Sequence, residues 1–208
     1  MLRHVPPFCA YPSAHFYYAN YLVALGRYEE AIAEAKKALA LDPVSMAAQT
    51  NVAIIYLRAG RYDQAVEEAR RVLDLDTTYA HAYYVLGRAY VQKGMYREAI
   101  LSSRRAVALE GSNVRYLASL AHTYGVAGKR SNASELLDQI KRIMVQRQVP
   151  AYALAICYAA LGKKDETLAW LTKEIQCNNW RKDQNDSALF SPRVLRRATK
   201  RPRVWLPV

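Results

Sequence analysis

The sequence predicts an all-α protein, an α-α superhelix of stacked helix-turn-helix repeats, on three observations. Gly26, Gly60, Gly94, Gly128 and Gly162 stand 34 residues apart, and a fixed period between about 20 and 50 residues marks a repeat array. Small residues recur with the same period at two further places. Large apolar or aromatic residues recur at two others.

With the glycine at position 15, five units run 12–45, 46–79, 80–113, 114–147 and 148–181. Position 8 reads Ala19, Ala53, Gly87, Ala121 and Ala155; position 20 reads Ala31, Ala65, Ala99, Ala133 and Thr167. Position 11 is Leu22 followed by Tyr56, Tyr90, Tyr124 and Tyr158, and position 7 is Tyr18, Val52, Leu86, Leu120 and Leu154. Small residues let two helix backbones approach, and large ones fill the space beside them. Each unit is therefore expected to be an antiparallel helix pair. The glycine stops the first helix, because the left-handed conformation common just past a helix end costs glycine very little. Tyr28, Tyr62 and Tyr96 open the second helix two residues later. In the first unit Ile32, Ala35, Ala38 and Leu39 share one helical face. Asp42-Pro43 ends that helix, since a proline disfavours helix in the residue before it.

These residues resemble the tetratricopeptide repeat, whose pattern has a large residue at 4, Leu-Gly at 7–8, Tyr at 11, and Ala at 20 and 27. The third unit, with Tyr83, Leu86-Gly87, Tyr90, Ala99 and Ala106, matches well. No unit has tryptophan at position 4, only the first has proline at 32 (Pro43), and Arg130 and Lys164 replace the aromatic at 17. The resemblance covers residues 12–181 of 208. It implies a right-handed superhelix and a non-enzymatic scaffold or adaptor that binds a protein segment in its concave groove.

In such a superhelix positions 2, 5, 9, 12 and 13 of the first helices line the groove. With Asn51 at position 6, the candidate groove residues are Phe16, Asn20, Thr50, Asn51, Ile54, Arg58, His81, Tyr84, Arg88, Arg115, His122 and Tyr152. The set is aromatic and apolar, with cationic points at Arg58, Arg88 and Arg115 and no acid. The expected partner is a protein or peptide offering apolar anchors and carboxylates, which arginine pairs in bidentate fashion.

One tetratricopeptide class grips C-terminal carboxylates of chaperones with a clamp of lysine, arginine and asparagine. Asn20 and Asn51 occupy its asparagine places, but its three cationic places hold Phe16, His81 and Val85. Without those charges the carboxylates have little to offset their desolvation, so a chaperone clamp is not expected. Position 6 reads Tyr17, Asn51, Val85, Ser119 and Ala153, without the asparagine ladder of the glycosyl transferase superhelix.

No reactive groups converge, and no catalytic site, cofactor or metal is expected. His4, Cys9 and His15 are poorly spaced for zinc. Ala127-Gly128-Lys129-Arg130-Ser131 lacks the glycine and lysine-serine spacing of a phosphate loop and lies between two helices. Cys9, Cys157 and Cys177 are odd in number and scattered, which points to a reducing, cytoplasmic setting. No apolar run reaches the length of a membrane span. The longest, at 151–161, reads as the buried first helix of unit five.

The formal charge of +12 is uneven. Residues 178–208 hold eight basic residues against Asp183 and Asp186, half of the excess. Within the basic C-terminal segment 182–208, Ser191-Pro192 is expected to start a capping helix over 191–200, with Val194, Leu195 and Ala198 on its apolar face. The tract Arg196 to Arg203 offers charge for nucleic acid but no aromatic stacking platform, which disfavours that partner. Residues 1–11 are read as an N-terminal extension. The wording from Tyr152 to Leu171 and the Ser-Pro-Arg ending look like tetratricopeptide regions of bacterial regulators, where a winged-helix or kinase domain often precedes the repeats. A regulatory module detached from such a domain is the alternative expectation. Oligomeric state is left open by the sequence.

Overall fold

The computed structural model describes residues 11–180. Its regular structure is helical throughout, as ten helices among the described residues: α1 (Pro12–Ala24), α2 (Tyr28–Leu41), α3 (Met46–Arg58), α4 (Tyr62–Leu75), α5 (Ala80–Gln92), α6 (Tyr96–Leu109), α7 (Val114–Val126), α8 (Arg130–Gln146), α9 (Ala151–Ala160) and α10 (Lys164–Trp180). The expected capping helix and residues 1–10 lie outside the described residues.

The turn inside each unit is one motif repeated five times. All five glycines have φ between +73° and +77°. At the first, the Arg27 N–H donates to Leu22 O (2.9 Å) and the Gly26 N–H to Val23 O (3.0 Å). This pair of bonds satisfies carbonyls that a helix end otherwise leaves bare. The Arg27–Leu22 bond, which spans five residues, recurs from Arg61 to Tyr56 (2.9 Å), Met95 to Tyr90 (2.9 Å), Lys129 to Tyr124 (2.8 Å) and Lys163 to Tyr158 (2.9 Å). Position 11 is the acceptor each time. A Cβ at Gly26, Gly60, Gly94 or Gly128 would meet no atom within 4 Å, so backbone conformation alone selects glycine there.

The links between units also repeat. The N–H groups of Ser45, Tyr79 and Asn113 donate to the carbonyls of Asp42, Asp76 and Glu110, at 3.3, 3.2 and 3.0 Å. Ser45 Oγ then accepts from the Ala48 N–H (3.2 Å) and Asn113 Oδ1 from the Arg115 N–H (3.1 Å), capping α3 and α7. Each such cap contributes about 1 kcal/mol.

Each second helix packs on its own first helix, and α2, α4, α6 and α8 pack also on the first helix of the next unit; the first helices touch one another in the order α1, α3, α5, α7, α9. Second helices of neighbouring units have no comparable contact among the described residues. The first helices are therefore the closer-packed row.

The fifth unit departs from the 34-residue register at its start. A shift of 34 from Leu109 would end α8 at residue 143, yet α8 runs to Gln146; α9 opens at Ala151, three residues after 148, and ends in step at Ala160. Pro150 caps it, where a missing N–H is harmless. The shortened α9 packs more on α7 than on α8. Gly125 permits this approach, for a Cβ there would lie 2.5 Å from Ala160 O.

The apolar core is divided. One cluster runs from Ala19 through Ile55, Val85 and Ala106 to Tyr116, and the other from Leu117 through Ile140 and Leu154 to Cys157; Val107 packs against both. Near the division lies a buried polar contact, Ser103 Oγ to Thr123 Oγ1 at 3.3 Å. Thr123 donates its own hydroxyl to Ser119 O (2.9 Å), so Ser103 is the donor. Gly87 makes room for it, since a Cβ there would sit 2.3 Å from Ser103 Oγ.

Candidate partner-binding groove

Eleven of the twelve nominated residues fall into two groups and one outlier; the twelfth, His122, is half-buried on α7. In the first group Phe16 packs half-buried against the core, and Asn20 donates to Phe16 O (2.8 Å) while accepting from Arg58 Nη1. Asn51 on α3 is half-buried, and Ile54 is buried. Thr50 has no exposed surface, and its hydroxyl donates to Met46 O (2.6 Å). It therefore offers nothing to a ligand and serves as a core residue of α3.

The second group is an aromatic cluster spanning α5 and α7. His81 lies 5.6 Å from the Tyr84 ring and 6.4 Å from Tyr116, while Tyr84 and Tyr116 lie 5.2 Å apart. These are ordinary separations for interacting rings. The Arg88 guanidinium sits 5.4 Å over the Tyr84 ring and its Nη1 donates to the Tyr84 hydroxyl (3.3 Å). Arg115 is exposed at the start of α7. Tyr152, the outlier, opens α9, where its N–H donates to Glu174 Oε2 (3.2 Å).

Burial fixes the charge states. It pushes His81 down to about 4, with Arg115 and then Arg88 lowering it further against the opposing pull of Glu110. His122 falls to about 4 for the same first reason, helped by Arg88. Both imidazoles are neutral at pH 7. Burial also raises the Tyr116 hydroxyl to about 12. The positive charge on this face is thus carried by guanidinium groups.

Two participants were absent from the sequence reading. Tyr116 stands where earlier units have Ala14, Ala48 and Ala82, and that replacement was the available signal. Glu110, on the link after α6, lies close enough to act on both His81 and Tyr116. The groove is therefore not free of acid, although Asn113 Nδ2 engages Glu110 Oε2 (2.9 Å). A separate cleft of about 530 Å³ opens among α6, α7 and α8, with Arg104, Tyr124, Glu135 and Arg142 on its walls. None of the nominated residues lines it. Among the described residues no three potential metal ligands converge, and no helix is long and apolar enough to cross a membrane.

Five helix pairs joined by one repeated glycine turn, with an aromatic and cationic row on the first helices, define a helical repeat scaffold. The chain belongs to the tetratricopeptide repeat family, whose model matches residues 10–45, 18–80 and 50–114, together half of the chain. No curated protein matches it. Among solved structures, a thermophilic tetratricopeptide protein of Thermus thermophilus is similar at 24% identity and a TM-score of 0.62, over 79% of this chain and 90% of that one. MamA from Desulfovibrio magneticus RS-1 (residues 41 to the end) is 22% identical, with a TM-score of 0.55, over 67% and 79%. The tetratricopeptide-like repeats of a Podosopora anserina putative kinesin light chain are 21% identical, with a TM-score of 0.57, over 83% and 97%. These likenesses extend the fold across most of the chain.

Proposed function

We propose that the protein is a non-enzymatic adaptor that binds a protein segment along its first helices, with the segment's carboxylates at Arg88 and Arg115 and its apolar side chains beside them, over the buried Tyr84 and Tyr116 rings that fix this surface. The observation that carries this reading is the pair of arginines on α5 and α7, Arg88 seated over the Tyr84 ring and Arg115 exposed, above a buried aromatic cluster. Aromatic residues and arginine are the residue types that dominate binding energy at protein interfaces. With His81 neutral, a chaperone-type carboxylate clamp lacks one of its cationic places.

The test is selection from a displayed peptide library, followed by calorimetry on wild-type protein and the Arg88→Glu, Arg115→Glu variant. Acidic peptides with apolar anchors should be selected, and the variant should bind them at least about tenfold more weakly, the loss of one charge-assisted pair. Selection of basic peptides, or equal binding by the variant, would refute the assignment.

A further inference from the structure

Along the described first helices, the outer face of α1 is where an interior surface of the repeat is left open. At position 7 the later units bury Val52, Leu86, Leu120 and Leu154 to within 5% exposure, and at position 10 they bury Ile55, Ala89, Thr123 and Cys157 to within 1%. In each later unit the preceding helix pair packs against the first helix. In α1 the same positions are Tyr18, 47% exposed, and Tyr21, 55% exposed, with Tyr17 and Leu25 beside them at 53% and 52%. Tyr11, at the foot of the helix, is 61% exposed.

We infer that this tyrosine face is a dimerisation surface, docking on the same face of a second copy of the chain. Three observations select that occupant. A further repeat is a poor fit, because position 10 sits at a tight helix contact that elsewhere holds residues no larger than isoleucine. The charges at the edge are paired within the chain: Arg27 Nη2 to Glu30 Oε2 at 2.5 Å, and Lys37 Nζ to Glu34 Oε1 at 2.7 Å. A balanced rim neither calls for a charged partner nor repels its own copy, and each tyrosine hydroxyl both donates and accepts. The five side chains expose about 500 Å², taking ~200 Å² for a full tyrosine. Two such faces bury about 1,000 Å² in total, the size of a weak, concentration-dependent interface. One patch serving both copies closes the assembly at two.

Sedimentation equilibrium on the full chain tests this. The mass should rise from 23.6 kDa toward twice that value, about 47 kDa, as concentration increases from about 1 to 100 μM. The Tyr18→Glu, Tyr21→Glu variant should keep its helical circular dichroism and stay at the monomer mass. A second measurement guards against a folding defect: Tyr21→Glu and Tyr21→Lys chains, each monomeric alone, should form a mixed dimer seen by native mass spectrometry. A wild-type chain that stays monomeric throughout overturns the inference, as does one that dimerises only after residues 1–10 are deleted, which would mean those residues cover the face. Growth beyond two copies, or a charge variant that dimerises like wild type, overturns it as well.

Discussion

Lowering the pH from 7.5 to 5 should destabilise the fold through His81 and His122. Each imidazole titrates near 6.5 when unfolded and at about 4 when folded. Between those values the unfolded chain binds more protons than the native one, so stability falls as pH falls. At pH 5 an unfolded histidine is almost fully protonated, whereas a native one with a value of 4 is protonated about one part in eleven, a difference worth about 2 kcal/mol per group. The two together give about 4 kcal/mol, a large fraction of the total stability of an ordinary domain. Glu34 is held below its usual range by Lys37 and then His15, and Asp76 by Thr78, so these carboxylates remain ionised at pH 5 and do not contaminate the window. Urea unfolding followed by far-UV circular dichroism at pH 7.5, 6 and 5 measures the loss. The His81→Gln, His122→Gln variant should be nearly flat over the same range. A wild-type slope that survives in the variant, or native imidazole resonances that titrate near 6.5, would refute the reasoning.

Other perturbations follow from the geometry. Gly94→Ala should cost about 1 kcal/mol by urea unfolding, because the added Cβ meets only the left-handed backbone penalty. Gly125→Ala should cost more, roughly 1–3 kcal/mol, because its Cβ drives into Ala160, and it should perturb α9 resonances selectively. Leu154→Ala, at a side chain with no exposure, should cost about 2–5 kcal/mol in the same assay. The Cys157 thiol is buried and pushed up to about 12. In a Cys9→Ser, Cys177→Ser background it should resist a thiol reagent at pH 8 until denaturant is added.

Local rules made much of this architecture legible. The glycine turn needs only backbone conformation, so its period appeared directly in the sequence, and the first helix of each of the first four units begins at the residue its position predicts. The fifth unit shows the limit. Pro150 was visible, but where α8 stops and α9 begins is a tertiary matter, since α9 packs more on α7 than on α8. The groove was read from positions on the first helices alone. That template could not include Glu110, which reaches His81 from an inter-unit link, nor show that Thr50 turns its hydroxyl onto its own helix. The depressed His81 and His122 values arise from burial between units, together with charges on different helices, and no single-helix pattern encodes that.

The divided core has a consequence for how the chain opens. A repeat array behaves as a row of coupled blocks, and such a row breaks at its weakest junction. Here the two clusters of buried residues change over between Tyr116 and Leu117, joined through the partly buried Val107, close to the Ser103–Thr123 hydroxyl contact. If opening starts at that changeover, amides of α8 and α9 should exchange with solvent through openings smaller than global unfolding, which native-state hydrogen exchange would read. Arg88 stands on a helix of one block and Arg115 on a helix of the other. A segment held by both would act as a clasp across the seam, converting occupancy of the groove into cohesion of the whole superhelix.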